Sequence, residues 1–520
     1  MKRVTRSVLA ASLVLASIAM AARADVSGCA GTSAGGDWRA YGQDLSNSRN
    51  QPAEHTIGTA TVSNLKPALW HVDGSLLGGG SFSNTPLVAD GCLYVATGSG
   101  TVASFNADSG ILNWKRSFSG NGSTLAANTI TGSPAVGGGR VFAAIGNSNA
   151  PTMGGWSYDV AVWQDTGLPA WPNETGWGAT TGDTGTVLDT TPGAFVASSP
   201  VWYNPDPVHY PDGLVFQGFM AGEATATARG GWDIINATDG SIVKKSYTIS
   251  ADDYTAGHRG ASVWSTAAVD TATNYIYVGT GNPASKDEDA NANAIIKIDG
   301  DPARAATFGT LAGSYHGLPD NYATAVDLYD QAVCQNTGSV RVVWGQTCGQ
   351  QDLDFGAAPN LITLGGHTFV GDLQKAGVYH LVDTATMRSV WTTIVGTPEF
   401  QSNANSASVE NGQIFTAASS PNEIWSLNAS GGERRWTSPL LDGAGFHYNE
   451  VSTANGVVYT GDSTGTLRAL DEATGLPLWA SPASRVLNAP TEDFSNSSGV
   501  AIARNKVYWA VAGFILVYQL

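Results

Sequence analysis

The chain has 520 residues, 63 of them glycine and 16 tryptophan, with only 13% charged. That length allows about two to four ordinary domains or one large all-β unit, and the glycine content with recurrent Val/Tyr/Trp/Thr runs favours the all-β option. A net charge of −17 argues against nucleic acid or an anionic membrane as partner, since both demand Lys/Arg clusters that the sequence lacks, and leaves room for a neutral or cationic substrate.

In chain order, residues 1–24 read as a secretory signal peptide. Lys2, Arg3 and Arg6 precede an apolar run from Val8 to Met20, and Ala22-Arg23-Ala24 gives a small-x-small cleavage site. The expected mature chain starts near Asp25 and is periplasmic or secreted. A rival reading takes Val26 to Cys29 (VSGC) as a lipoprotein signal with Cys29 acylated, although Arg23 and Asp25 interrupt the apolar run before it. No later apolar run approaches the roughly 20 residues that span a bilayer, so no transmembrane segment is expected. Among the four cysteines, Cys334 and Cys348 sit close together in a loop-like stretch and are expected to staple it, which leaves Cys29 with Cys92. The sequence contains no CxxCH, hence no attachment motif for a c-type haem of its own, and electrons must leave through an external acceptor such as a cytochrome c or a quinone.

From Thr85 to Trp114 the chain reads strand, Asp-Gly turn, strand, Gly turn, strand, then a D-x-G turn with Trp four residues after the glycine. The plan returns at Ser133–Trp171, Ser199–Tyr247 and Gly260–Gly300, the last two without the closing Trp. After an irregular stretch at about 301–351 come Gly356–Trp391, Ala404–Trp436, Val451–Trp479 and Ser497–Leu520, the last ending after its third strand. Near the other terminus, Asn64–Val72 (NLKPALWHV) is a solitary strand able to supply the missing fourth one. A four-stranded unit cannot bury both faces alone, so neighbours must stack, and closing the ring removes exposed sheet edges. The expectation is an all-β, eight-bladed β-propeller over 25–520, with an insertion at about 301–351 and closure by pairing of the N-terminal strand with the C-terminal blade. The recurrent Trp114, Trp171, Trp391, Trp436 and Trp479 are then expected to pack between blades.

No nucleophile elbow, zinc motif, phosphate loop or dinucleotide fingerprint occurs in a suitable context. The histidines, His258, His316, His367, His380 and His447 among them, fall at no ligand spacing and read as solvated or internally satisfied. A small oxygen set is more suggestive. Glu223 follows a strand in FMAGEATATARGG, Asn282 follows one in YIYVGTGNP, Asp354 precedes one in DLDFGAAPNL, and Lys375 sits in the turn GDLQKAGVYHLVD. Taken singly, these are loop carboxylates, a turn amide and a solvated hairpin charge. In successive blades such strand-end positions converge on the propeller axis, where two carboxylates and an amide oxygen suit Ca²⁺. Trp264, upstream of Asn282, offers a flat surface nearby, although a core tryptophan would read the same way.

The D-x-x-T-G-x-x-x-W repeat, the opening GGDWRAYGQDLSNSRN with the later LKPALW, and the phrases GASVWSTAAVD, YVGTGNP, LDFGAAPNL and QKAGVYHLVD resemble the pyrroloquinoline quinone (PQQ)-dependent alcohol dehydrogenases, most closely the polyvinyl alcohol dehydrogenase-like branch. The resemblance covers essentially the whole mature chain. It implies a quinoprotein alcohol dehydrogenase-like propeller holding PQQ and Ca²⁺, with Glu223, Asn282 and Asp354 as metal ligands and Asp354 also the base that takes the alcohol proton. Trp264 would be the floor on which the quinone stacks and Lys375 the cation beside its reacting carbonyl. The implied reaction is oxidation of a secondary or polymeric alcohol. The sequence departs from the family pattern after Glu223, where ATATARGG carries no adjacent cysteine pair, and at TITGSPAV, where an expected arginine is replaced; Arg229 or Arg259 could take its place. Propellers of this repeat type also serve as non-catalytic scaffolds, of the outer-membrane assembly kind, or as carbohydrate binders, so both remain alternative expectations.

Overall fold

The computed structural model describes Cys29 and residues 34–520 apart from 83, 119–127, 130–131, 148–156, 172–184, 192, 222–226, 284–289, 318–341, 344–345, 348–352, 397–403, 420–421, 440–449 and 490–496. Eight antiparallel sheets of four or five strands follow one another along the chain and form an eight-bladed β-propeller. Their innermost strands are Leu87–Ala89, Ala135–Gly137, Val201–Tyr203, Ala268–Asp270, Asn360–Leu364, Ser408–Glu410, Ser452–Ala454 and Ser497–Ala503, numbered here as blades 1 to 8. In blade 8 the chain supplies three strands, and Lys66–Pro67 and Val72–Asp73 pair antiparallel with the C-terminal strand Phe514–Gln519. The disulfide Cys29–Cys92 ties the segment before the propeller to the second strand of blade 1. Cys334 and Cys348 lie outside the described residues.

The recurrent tryptophans stitch each blade to the next. Trp114 on the outer strand of blade 1 donates its indole N–H to the Gln164 carbonyl of blade 2, 3.1 Å away, and lies on Gly167. Gly167 has a φ of +67°, and a Cβ there would come within 2.5 Å of the indole, so the turn requires glycine for both its conformation and the close approach. Trp171, Trp391 and Trp436 repeat the bond to Ala237, Ala429 and Glu472 at 2.9–3.1 Å. Trp70, on the N-terminal segment, makes the equivalent contact to Asp108 of blade 1 and so closes the ring. Trp479 instead packs edge-on against Tyr518 of blade 8.

The two repeats that lack the closing Trp transfer this task to their third strand. Trp232 donates to the Gly309 carbonyl at 3.1 Å, and Lys297 to the Thr384 carbonyl at 2.8 Å. Blade 4 also corrects the insertion boundary expected at 301. Leu311–His316 pairs in register with Ala294–Asp299 as the outermost strand, so residues 301–316 belong to the blade. A glycine (Gly313) at the usual Trp position, lying against Met387, hid this strand from the repeat pattern.

One further element positions the site. Residues 38–51, a strap between the disulfide segment and blade 1, run across the free edges of the inner strands. Trp38 exchanges both backbone bonds with Val88 of blade 1, Arg39 accepts from Val136 of blade 2, and Leu45, Ser46 and Ser48 accept from Val269, Leu361 and Val409 of blades 4, 5 and 6. Arg49 and Gln51 bond Thr453 of blade 7, and the Gln51 amide reaches the Ile502 carbonyl of blade 8. Because inner-strand edges line the axis, the strap lies across it. These edges would otherwise carry unpaired N–H groups, which explains why a chain without regular secondary structure packs against them, with Trp38, Asn47, Arg49 and Gln51 buried.

Candidate active site

In an antiparallel blade the start of the innermost strand and the end of the second strand lie at the same end of the sheet. Trp264 and Asp354 precede the inner strands of blades 4 and 5; Asn282 and Lys375 follow the second strands Tyr275–Gly279 and His367–Gln374 of the same blades. The topology therefore gathers four of the five expected residues at adjacent strand ends. Glu223, the fifth, lies outside the described residues. Its neighbour Ala221 is tied to the same cluster, exchanging two hydrogen bonds of 3.0 Å with the Ser262 hydroxyl, two residues before Trp264.

Lys375 is not a solvated hairpin charge. It is buried, with Nζ 3.2 Å from Asp354 Oδ2 and 4.7 Å from the centre of the Trp264 ring. Its own backbone N–H donates to the Asp354 carbonyl at 2.9 Å, so both ends of the lysine are referred to the same residue. Asp354 is buried as well, and Gln374 donates to the carbonyl of Leu353 beside it at 2.7 Å. The oxygen of that amide pairs with His380 Nε2 at 3.1 Å, and His380 Nδ1 meets the Tyr315 hydroxyl at 3.0 Å. Burial drives the His380 pKa down to about 3, so the ring is neutral and acts as a hydrogen-bonded brace.

Trp264 is half-buried, and Gly356 lies against its far edge, where a Cβ would come within 2.3 Å of the indole. No side chain can therefore rise there, and the indole edge is packed against bare backbone. Asn282 is buried, its backbone carbonyl accepts from Ala261 at 2.8 Å, and its side-chain Oδ1 accepts no hydrogen bond among the described residues. A buried amide oxygen left without a donor in a folded protein calls for an ion or ligand. The turn carrying it is locked to the Asp354 segment, since the Thr280 carbonyl accepts from the Phe355 N–H at 3.1 Å.

These observations fit the implied cofactors. The Asn282 oxygen and the Asp354 carboxylate are hard donors of the kind Ca²⁺ takes, and a half-exposed indole with a cation beside it suits a planar quinone. Among the described residues no group of three or more His, Cys, Asp or Glu side chains forms a metal site on its own, so any remaining ligands must come from elsewhere. Two features were missed from sequence. The strap was noticed only as a phrase of resemblance, and Asp372, fully buried in blade 5 beside Gly279, drew no attention. Burial raises the Asp372 carboxyl well above its ordinary pKa, favouring its neutral form.

Comparison with known proteins places this geometry. Residues 38–133 match the family described as "Glucose/ethanol/alcohol dehydrogenase, beta-propeller domain". The polyvinylalcohol dehydrogenase of Sphingopyxis sp. (strain 113P3) is 24% identical over 441 residues, covering 77% of this chain and 61% of the relative; that of Pseudomonas sp. is 23% identical over 518 residues, covering 91% and 72%. The chain is similar in sequence to PQQ-dependent alcohol dehydrogenases. The chain thus spans about 61% of the length of the first of these relatives. The fold is shared with the quinohemoprotein alcohol dehydrogenase of Comamonas testosteroni, at a TM-score of 0.64 and 15% identity, covering 93% of this chain and 80% of that one. Residues 374–517 match a second family of the same repeat, described as "Outer membrane protein assembly factor BamB".

Proposed function

We propose that this protein oxidises a secondary or polymeric alcohol to the ketone, with PQQ and Ca²⁺ held at the ends of blades 3 to 5. The observation that carries the reading is the buried Lys375–Asp354 pair set against Trp264, together with the Asn282 oxygen that accepts no hydrogen bond among the described residues. A scaffold gains nothing from burying an ion pair at its axis, since such pairs repay their desolvation poorly. Asp354 would take the proton of the alcohol hydroxyl, and Lys375 beside it would present positive charge where negative charge develops on the accepting carbonyl. Trp264 would support the plane of the quinone. Asn282, Asp354 and Glu223 would supply oxygens to the ion, and the quinone, when bound, would supply the two-electron hydride acceptor that the side chains lack.

Electrons would leave to an external acceptor such as a cytochrome c or a quinone. The expected signal peptide would direct the protein to the periplasm or outside the cell; among the described residues no helix is long and apolar enough to cross a membrane. The match of residues 374–517 to the assembly-factor family favours a second reading, a non-catalytic interaction platform. Titration of the protein with PQQ and Ca²⁺, followed by dye reduction with a panel of primary, secondary and polymeric alcohols, separates the two. Bound-quinone absorbance with alcohol-dependent reduction supports the enzyme; neither signal, in a folded protein, leaves the platform.

A further inference from the structure

The strap does more than fill the axis. Asp44 folds its middle into a tight turn: its Oδ1 accepts from the Ser46 and Ser48 N–H groups at 2.9 and 3.0 Å, and its Oδ2 from the Ser48 hydroxyl at 2.7 Å. Asn47 sits at the apex with a φ of +53°, a conformation asparagine tolerates better than other side-chain-bearing residues, and is 3% exposed. Its side-chain nitrogen is 3.2 Å from the Thr266 carbonyl, 3.1 Å from that of Ala267 and 3.1 Å from that of Pro359. Its own carbonyl accepts from the Asn360 amide at 2.6 Å, and that amide also reaches the Ala407 carbonyl at 3.0 Å. Two N–H bonds thus serve three carbonyls on two different blades.

Those carbonyls belong to the short segments that lead from the candidate site into the inner strands: Thr266 is two residues beyond Trp264, and Pro359 five beyond Asp354. The flanking strap residues clamp the same two strands, Leu45 to Val269 at 2.6 Å and Ser46 to Leu361 at 2.8 Å. Blades 4 and 5 are separate sheets, so their relative register is not fixed by strand pairing. It depends on side-chain packing and on bridges such as this one.

We propose that Asn47 is a positioning residue, setting the spacing between the Trp264-bearing and Asp354-bearing segments from beneath. Asparagine suits the position because it tolerates the left-handed backbone and its short amide presents two N–H donors to the three carbonyl oxygens; aspartate would set a carboxylate against them, and a longer amide would overshoot. The proposal rests on the enzymatic reading above. It differs from a purely structural role in its prediction that loosening Asn47 harms chemistry more than folding.

The test compares two buried strap amides. Asn47→Gly keeps the left-handed backbone and removes the donors; Gln51→Ala removes an equally buried amide whose bonds go to Asp37 and to Ile502 of blade 8, away from the site. Each is titrated with PQQ and Ca²⁺ by quinone absorbance, then assayed for kcat and KM, with the melting temperature recorded. The expected result is a fall in kcat of at least about tenfold for Asn47→Gly, with the alcohol KM changed less than about twofold and quinone affinity weakened, while Gln51→Ala keeps wild-type kcat and affinity at a comparable loss of melting temperature. Equal effects from both variants, or wild-type kcat in Asn47→Gly, overturn the proposal. Should Asn47→Gly fail to fold, Asn47→Ser, which keeps a short uncharged donor, is read by the same criteria. Inactive wild-type protein overturns the enzymatic reading and the positioning role together, and is distinguished because it is seen before any substitution.

Discussion

Lys375 shows how far a residue's environment can depart from its local sequence. In QKAGVYHLVD it reads as a turn lysine, yet it is buried with its ammonium between a carboxylate and an indole. A buried charge of this kind is costly unless its partners are in place. Replacing it with methionine keeps the apolar stem and removes the charge, so kcat should fall by about tenfold or more from lost stabilisation of the carbonyl oxygen. Steady-state dye reduction of the reconstituted variant measures this; unchanged kcat would remove Lys375 from the chemistry. Asn282 and Trp264 were assigned to a site through the resemblance; by residue type alone they read as a turn amide and a core tryptophan, because the unsatisfied amide oxygen and the bare glycine neighbour that single them out are properties of packing. Glu223 keeps its expected role as a proposal only.

At the scale of the element, the buried carboxylates between blades 2 and 3 give the fold a pH dependence. Asp159 has no exposed surface and neither of its oxygens has a hydrogen-bond partner among the described residues. Burial first, and the charge of Asp233 second, raise its pKa well above the ordinary value. Burial also raises Asp233 to about 7, against the opposing pull of Lys245 at 3.3 Å, while Asp189 adds to the rise and itself accepts from Tyr247. The sign follows from proton counting. At these two groups the folded chain keeps protons that the unfolded chain releases near pH 4, so their contribution to stability is fully present below about pH 4 and declines as pH rises, the Asp233 share being lost through about pH 7. Each group contributes a slope of at most about 1.4 kcal/mol per pH unit. Urea midpoints should therefore be lower at pH 8 than at pH 5, and Asp159→Asn, a neutral near-isostere, should shrink the difference; parallel declines in variant and wild type would show that Asp159 is ionised in the fold. None of this was readable from sequence, since Asp159 and Asp233 stand in ordinary alternating strands and only the stacking of two blades brings them together. The blade repeat, by contrast, was legible because Trp-on-glycine packing needs a fixed spacing within each copy. Where Gly313 stands in place of the Trp, the outer strand of blade 4 was taken for insertion.

For the whole molecule, the chain ends are held by three devices: the N-terminal strand in blade 8, the strap across the axis, and the Cys29–Cys92 disulfide spanning 63 residues. The disulfide closes a loop that contains the entire strap, so opening it frees the segment that braces seven inner strands. A loss of about 2–4 kcal/mol is expected on reduction or in Cys29→Ser, seen as a lower melting temperature with dithiothreitol; no shift would mean that the strap holds without its tether. Eight-fold closure was legible because stacked sheets leave few other ways to bury both faces. The strap was not, since its bonds are made by backbone atoms whose partners lie up to about 400 residues away.

The central claim, that Asp354 is the base of a quinone-dependent alcohol oxidation, is tested most directly by alcohol-dependent dye reduction in Asp354→Asn reconstituted with PQQ and Ca²⁺ alongside wild type. Asparagine keeps the shape and one oxygen while removing the proton acceptor, so a folded, quinone-loaded variant should turn over at least about a hundredfold more slowly than an active wild type. A quinone-loaded Asp354→Asn protein that retains most of the wild-type rate would contradict the account.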